Sequence, residues 1–169
     1  LPVRLRQEVQ EVLRGKGAVS PIANPGADRA ADRAETESAF LYRPRSEWTY
    51  SHHPSITFFA GRLHAIWSNG RQNEDDVGQR VLHSSAADFA HWSEPRPLVH
   101  SQPGEHAEAV LTAAGFHQGG GTLAAYFGRY EYRAESLADG VRRPNDRGHH
   151  GTGLWALTTV DGRAWTAPR

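Results

Sequence analysis

The chain has 169 residues, with 19 Lys and Arg against 19 Asp and Glu, so its formal net charge is zero when His is neutral. A balanced charge gives no field that favours nucleic acid or an anionic membrane surface, and we expect neither as a partner. The absence of Cys excludes disulfides, Cys nucleophiles and thiolate metal sites. No apolar run approaches the roughly 20 residues of a membrane span, and no signal-peptide pattern is recognisable. The compartment is left open, a secreted or periplasmic location included.

Residues 1–15 predict a short helix that ends at Gly15. Its apolar residues recur at helical spacing: Leu5, Val9, Val12 and Leu13. The stretch from Lys16 to Ser38 is rich in Ala, Asp, Arg, Pro and Gly and has almost no large apolar residue, which is typical of a flexible linker. We therefore expect 1–38 to form a helix and linker, and 39–169 to form the folded part.

Short runs rich in aromatic and β-branched residues follow Phe40, and each predicts a strand. Residues 55–60 and 62–68 are joined at Gly61, which is a hairpin signal. A third strand is expected at 80–85. A fourth is expected at 96–99, where the neighbouring prolines suit an outer edge strand.

The same pattern then occurs a second time. Residues 88–96 and 161–169 both read D-x-x-x-W-[ST]-x-P-R, 73 positions apart, and 61–67 aligns with 121–127 at an offset of 60. The two copies differ in the length of the loop after the second strand, which covers about 69–79 in the first copy and about 129–153 in the second. A repeat of four short strands with one variable loop is typical of radial β-repeat proteins.

The Asp and Trp of the repeat predict a structural turn rather than a catalytic group. The carboxylates of Asp88 and Asp161 can accept hydrogen bonds from the backbone amides of their own turns. Trp92 and Trp165 follow four residues later and can pack between neighbouring sheets.

The second copy of this turn, Thr159–Trp165, resembles a shortened Asp box (S/T-x-D-G-x-x-W) of sialidase-like β-propellers. The first copy, 86–92, has Ala for the Ser or Thr and lacks the Gly. The resemblance covers about 48–169 and implies an all-β propeller with four-stranded blades, here about 50–108 and 109–169. The box occurs in sialidases, other glycosidases, lyases and binding proteins, so it implies architecture more than chemistry.

Two blades are fewer than the about four to eight that close a propeller. The sequence also begins with Leu1 and contains no Met. We therefore expect an incomplete propeller whose partners include the remaining blades of the same protein.

Polar residues gather on the propeller face that carries the loop before the first strand and the loop between the second and third strands. His52 and His53 stand before Pro54, which fixes the chain there; they are substrate and catalytic candidates, or they simply fill a turn. The run Asn73–Asp76 favours a solvated loop, a local cap or a cation site.

Three further histidines fall within the second predicted blade. His117 lies in the first strand of the second blade, which lines the axis of a propeller, so it is a catalytic candidate or else a hydrogen-bonded core residue. His149 and His150 predict an exposed loop pair without a third ligand, so no metal site is expected. No cofactor is expected, although a structural cation such as calcium is left open.

The segment Tyr126–Tyr132 and the insertion after it predict a sugar-acid subsite, or else an aromatic strand end beside a salt-bridged loop. Aromatic faces stack on sugar rings, and Arg129 or Arg143 can grip a carboxylate. A tyrosine beside Arg, such as Tyr130, can have a lowered pKa and act as a base.

This arrangement is similar to the propeller-type polysaccharide lyases, such as ulvan lyases, and to related enzymes that cleave rhamnose–glucuronate linkages. The sialidase start motif is only echoed, by Tyr42-Arg43-Pro44. The resemblance implies β-elimination on a uronic-acid polysaccharide or oligosaccharide. The catalytic candidates are His53, His117 and Tyr130, and the substrate-binding candidates are His52, Arg129, Tyr132 and Arg143. The alternatives are a sialidase-like exo-glycosidase and a carbohydrate-binding propeller without turnover.

Overall fold

The computed structural model describes residues 38–146 and 148–169. The helix predicted for 1–15 and the linker predicted for 16–38, apart from its last residue, lie outside the described residues. Residues 39–169 form one compact unit. In the described part all strands pair antiparallel and no α-helix occurs, so the all-β prediction is confirmed for this part of the chain.

The first sheet has four strands in the order β1-β2-β3-β4. They are β1 (Tyr50–Phe59), β2 (Arg62–Gly70), β3 (Arg80–Ala86) and β4 (Arg96–Val99). All four predicted strands are confirmed. The β1–β2 hairpin turns at Ala60 and Gly61, both with positive φ, as a two-residue type I′ turn requires. The first strand begins earlier than predicted, so that His52 and His53 belong to it.

The second sheet has the order β5-β6-β9, with a small two-stranded sheet inserted between its last two strands. The elements are β5 (Val110–Gly119), β6 (Thr122–Tyr132), a 3₁₀ turn (Ala134–Ser136), β7 (Leu137–Ala138), β8 (Val141–Arg142) and β9 (His149–Thr159). The long loop predicted for 129–153 is therefore shorter, because β6 reaches Tyr132 and β9 already begins at His149.

The repeat seen in the sequence is also a repeat of strand register. His83 of β3 pairs with Arg96 of β4 in the first sheet. In the second sheet Ala156 of β9 and Arg169 exchange two backbone hydrogen bonds, both 3.0 Å long. Each member of the second pair lies 73 positions after its counterpart. Arg169 therefore lies beside β9 at the position that Arg96 of β4 occupies beside β3.

The two Asp turns have the same geometry, which confirms their predicted structural role. Asp88 Oδ1 accepts the amides two and three residues later, at 2.9 and 2.8 Å. Asp161 Oδ1 does the same at 2.8 and 3.0 Å. Trp165 packs against the core shared by both sheets and against the His83 ring, 5.6 Å between centroids. This tryptophan therefore links the two sheets, as predicted.

The two sheets are packed face to face, with β5 lying on the first sheet. Their shared core consists of aliphatic residues and one phenylalanine: Ile66, Val81, Val99, Leu111, Ala113, Ala125, Phe127 and Leu157. Buried hydrogen bonds cross the same interface, such as Ala113 N to Ser68 Oγ at 2.9 Å. Because buried polar groups need partners, these bonds fix how β5 sits on the first sheet.

Candidate functional site

The polar face expected from the sequence is one end of the two sheets, which we call the loop end. It is formed where β1 and β5 begin, by the β2–β3 loop (71–79) and by the insertion between β6 and β9 (133–148). The other end, the turn end, carries the β1–β2 and β5–β6 hairpins and the two Asp turns.

His52 and His53 are adjacent in β1, yet their rings lie only 4.2 Å apart. In a regular strand consecutive side chains point to opposite faces. Here the pairing register shifts between His52 and Ser55, and His53 has φ +53°. This bulge re-aims the second imidazole toward the first. A similar shift occurs in β5 between Ala113 and Gly115, so the bulge belongs to both sheets, but only in β1 does it bring two imidazoles together.

The two imidazoles converge on one carboxylate. Glu74 Oε1 lies 3.4 Å from Nδ1 of His52 and 3.9 Å from Nε2 of His53. His52 is largely buried, whereas His53 and Glu74 are about half exposed. The cluster therefore has a buried inner side and a side open to solvent.

Gln79 determines which nitrogen of the buried His52 ring carries a proton. This glutamine is fully buried, and its Nε2 donates to the carbonyl of Leu111 at 2.9 Å. Its Oε1 must then be the atom that lies 2.9 Å from Nε2 of His52. An amide oxygen only accepts hydrogen bonds, so Nε2 of His52 carries a proton. In the neutral ring the proton-free nitrogen is then Nδ1, the atom closest to Glu74.

The backbone that carries Glu74 is held from both sheets. Within the loop, Asp76 Oδ2 accepts the amides of Gln72 and Asn73, both at 2.6 Å, which confirms the cap interpretation for this acid. From the second sheet, Tyr132 Oη donates to the carbonyl of Asp75 at 3.1 Å. Arg142 Nη2 donates to the carbonyl of Glu74 at 3.2 Å.

The expectation that Arg beside Tyr130 lowers the pKa of its phenol is wrong. Burial raises the pKa of Tyr130 far above its usual value, and the nearby Asp75 carboxylate and Tyr132 hydroxyl raise it further. Burial also raises the pKa of Tyr132. At neutral pH Tyr130 therefore keeps its proton and can donate a hydrogen bond or a proton, but it is not a phenolate base.

The arginines predicted to grip a substrate carboxylate have partners within the protein. Arg129 Nη2 lies 2.7 Å from Glu131 Oε1, and its Nε donates to Gln102 at 3.3 Å. Glu131 therefore neutralises Arg129 in this structure, and binding of a substrate carboxylate by Arg129 stays a prediction. Arg143 is exposed, and its Nε donates to the carbonyl of Leu137 at 3.1 Å, within the insertion.

His117 is not part of the loop end. It pairs with Ala124 in the last part of β5, beside the β5–β6 hairpin, and its side chain is exposed. Its neighbour Gln118 bonds Thr57 and Phe58 near the end of β1. Thr57 and Phe58 are four and five residues from His53, so at about 3.3 Å per residue His117 lies roughly 15 Å along the strands from His53.

His149 and His150 belong to β9 rather than to a loop, which corrects the sequence-based interpretation. The ring of His149 lies 4.9 Å from that of Tyr130. His150 lies with Glu105 and His106 in a second group of potential metal ligands. Two potential ligands therefore lie beside His150, and they come from the segment before β5, far away in sequence; His149 is not in this group.

Three side chains of the loop end were not singled out from the sequence. Glu74 appeared only as one of four polar residues in a loop, whereas Gln79 and Arg142 appeared only as parts of a loop and an insertion. The bulge and the packing of the second sheet decide their roles, and neither is a local pattern. The sequence pattern that pointed to this cluster was the adjacent His pair before Pro54.

Among the described residues, no helix is long and apolar enough to cross a membrane. Comparison with known proteins adds no family: no family model matches the chain, and neither a curated protein nor a solved structure matches it.

Proposed function

We propose that residues 39–169 contribute two blades to a sialidase-like β-propeller. Three observations support this proposal: the strand register repeats, the two Asp turns are alike, and β5 packs on the face of the preceding sheet. Face-to-face packing of successive antiparallel sheets is the arrangement from which propellers are built.

In this proposal the loop end acts on a uronic-acid-containing saccharide by β-elimination. The observation that carries it is the presence, at one end of the sheets, of an exposed imidazole beside a carboxylate and of a tyrosine that keeps its proton. Elimination needs both a proton acceptor and a proton donor, and neutral-pH chemistry often uses His as the acceptor.

The roles follow from burial and charge. The imidazole of His53 removes the proton next to the uronate carboxylate, and the electron pair forms the new carbon–carbon double bond. The bond to the leaving oxygen breaks, and Tyr130 gives that oxygen its proton. Glu74 lies at ion-pair distance from the imidazolium that results. Arg143, exposed and anchored at Leu137, is the remaining Arg candidate for the substrate carboxylate.

The test is incubation with a panel of uronate polysaccharides, ulvan included, while the absorbance of the unsaturated product is followed. We expect a signal that falls at least a hundredfold in His53→Ala and in Tyr130→Phe, in line with the usual contribution of general acid–base groups. His117→Ala is the matched control and should keep full activity, since it lies at the turn end.

A binding module without turnover is the second candidate. It is favoured by the internal pairing of Arg129 with Glu131, which leaves fewer charged groups for catalysis. In that case the saccharide binds, His53→Ala and Tyr130→Phe weaken binding, and no product forms. Sugar release without an unsaturated product would instead indicate a glycosidase, and either result contradicts the elimination.

A further inference from the structure

The cluster of His52, His53 and Glu74 combines the donor types that bind first-row divalent metals. One ligand atom from each residue lies within 4.8 Å of the others. Two imidazoles and a carboxylate form a common three-ligand zinc set, with a fourth position left for water or substrate. We propose that these three side chains bind a divalent transition metal ion, with Zn²⁺ as the best match.

The distances fit this proposal. Zinc bonds of about 2.0–2.1 Å at tetrahedral angles place neighbouring ligand atoms about 3.4 Å apart. Nδ1 of His52 and Oε1 of Glu74 are 3.4 Å apart. Nε2 of His53 and the same oxygen are 3.9 Å apart, about half an ångström longer than this spacing.

The buried imidazole is prepared as a ligand. Metal-bound histidines usually donate their other ring N–H to a protein oxygen, which fixes the ring and its tautomer. Nε2 of His52 meets Gln79 Oε1 in this way, at 2.9 Å. Nδ1 is buried and makes no hydrogen bond, although it faces Glu74 at 3.4 Å. A buried polar atom without a hydrogen bond is costly, and a metal ion at this position would satisfy it.

The geometry of the chain supports the same conclusion. Bringing two consecutive strand residues onto one ligand site requires the bulge, with His53 in the left-handed region at φ +53°. Such a conformation is unfavourable in a non-glycine residue. The carbonyl of Glu74 is held by Arg142 and that of Asp75 by Tyr132, so the third ligand is positioned from β6 and from the insertion that follows it.

The second group of potential ligands, Glu105, His106 and His150, is less suited and provides the control. His106 and Glu105 are exposed, and Nε2 of His106 lies 3.6 Å from Oε1 of Glu105. No ring nitrogen in this group is both buried and without a hydrogen bond. Both groups hold two imidazoles and a carboxylate, donors that favour zinc over calcium. Because only the first group has a buried ring nitrogen without a hydrogen bond, we expect strong Zn²⁺ binding at the first group only.

Zinc binding is separate from the proposed elimination and needs no saccharide. Only the expected inhibition rests on the proposed function: bound zinc takes the lone pair of His53 and therefore inhibits the elimination. The metal would be measured on the protein alone, so that absence of turnover and absence of a metal site are distinguishable.

The experiment is equilibrium dialysis of chelator-treated protein against Zn²⁺, with zinc and protein quantified by elemental analysis. We expect one strongly bound zinc per chain, and at least tenfold weaker binding in His53→Ala and in Glu74→Gln. His106→Ala should bind zinc like the wild type. Circular dichroism of each variant establishes that it is folded, and both His53 and Glu74 are exposed enough for conservative replacement.

Thermal melting gives a second measurement. Zinc that binds only the folded state raises the midpoint, and this increase should be lost in Glu74→Gln but kept in His106→Ala. No bound zinc in the wild type overturns the proposal. So does zinc binding that is unchanged in both ligand variants, or that is lost in His106→Ala.

Discussion

Gln79 shows how one buried polar side chain links both sheets to the candidate site. Its Nε2 donates to Leu111 in β5, and its Oε1 lies beside Nε2 of His52 in β1. The backbone amide of Leu111 also donates to the carbonyl of Gln79 at 3.1 Å. Because the residue is fully buried, each of these partners depends on it rather than on water.

We therefore predict that Gln79→Leu destabilises the protein by about 2–4 kcal/mol. The change leaves the Leu111 carbonyl and the His52 Nε2 without their partner, and each unsatisfied buried group costs about 1–3 kcal/mol. Denaturant unfolding measures the difference. Gln72→Leu is the matched control, because the Gln72 side chain is exposed, and it should change stability by no more than about 0.5 kcal/mol. Equal effects of the two substitutions would contradict the role given to Gln79.

For individual residues, the sequence allowed candidate side chains to be selected, but it did not predict their pKa shifts or their partners. The adjacent histidines could be selected because a His pair before Pro54 is a local pattern. The direction of the pKa shift at Tyr130 was wrong, because it depends on burial and on Asp75, which comes from the loop of the other sheet. The ion pair of Arg129 with Glu131, two residues away on the same strand, was not predicted.

The second of the two Asp turns packs against the neighbouring sheet. Gly162, in the second turn, has φ +71°, and a Cβ built on it would lie 2.7 Å from the ring of the fully buried His64. Gly121, in the β5–β6 hairpin, has a similar φ of +74°, but a Cβ there would have no atom within 4 Å. Comparing substitutions at Gly121 and Gly162 therefore separates the cost of backbone strain from the cost of steric contact.

We predict that Gly121→Ala costs about 1–2 kcal/mol, the usual penalty of an L-residue in the left-handed region. Gly162→Ala should cost at least about 1 kcal/mol more, since the added methyl group must displace a buried imidazole. The free energies of unfolding of the two variants provide the comparison. Equal losses would mean that the second turn is not packed on His64.

Strands were predicted well, whereas the insertion was not. The positions of β1 to β4 followed from alternating residue types between Gly and Pro, and the second set followed from the repeat. The strands β7 and β8 have two residues each, too short for any periodicity to be read. The bulge at His53 was also not predicted, since its register shift is set by pairing with β2 and not by local sequence.

At the scale of the whole molecule, a pair of histidines lies where the two sheets meet at the turn end. Nδ1 of His64 and Nε2 of His83 are 3.1 Å apart, and Trp165 of the second sheet packs on the His83 ring. Burial, followed by the neighbouring His64, lowers the pKa of His83 to about 4. Burial also lowers the pKa of His64, with a smaller effect from Arg62 in the same direction. Both rings are therefore neutral in the folded protein at pH 7.

This pair makes stability depend on pH in a defined window. In the unfolded chain a histidine binds its proton near pH 6.5, whereas folded His83 binds it only near pH 4. Between these values the unfolded state binds more protons, so stability rises with pH. The contribution is complete above about pH 6.5 and is lost as the pH falls toward 4. For His83 the difference corresponds to up to about 3 kcal/mol, at about 1.4 kcal/mol per pKa unit.

We predict that His83→Gln flattens the pH dependence of the unfolding free energy between pH 6.5 and 4. Glutamine can still donate a hydrogen bond to His64 but takes up no proton, so the term due to residue 83 disappears while most of the packing remains. His100→Gln is the control, because this histidine is exposed and should leave the slope unchanged. Denaturant unfolding at several pH values in this range gives both slopes. If His83→Gln keeps the wild-type slope, the neutral histidine pair is not what makes the junction of the two sheets sensitive to acid.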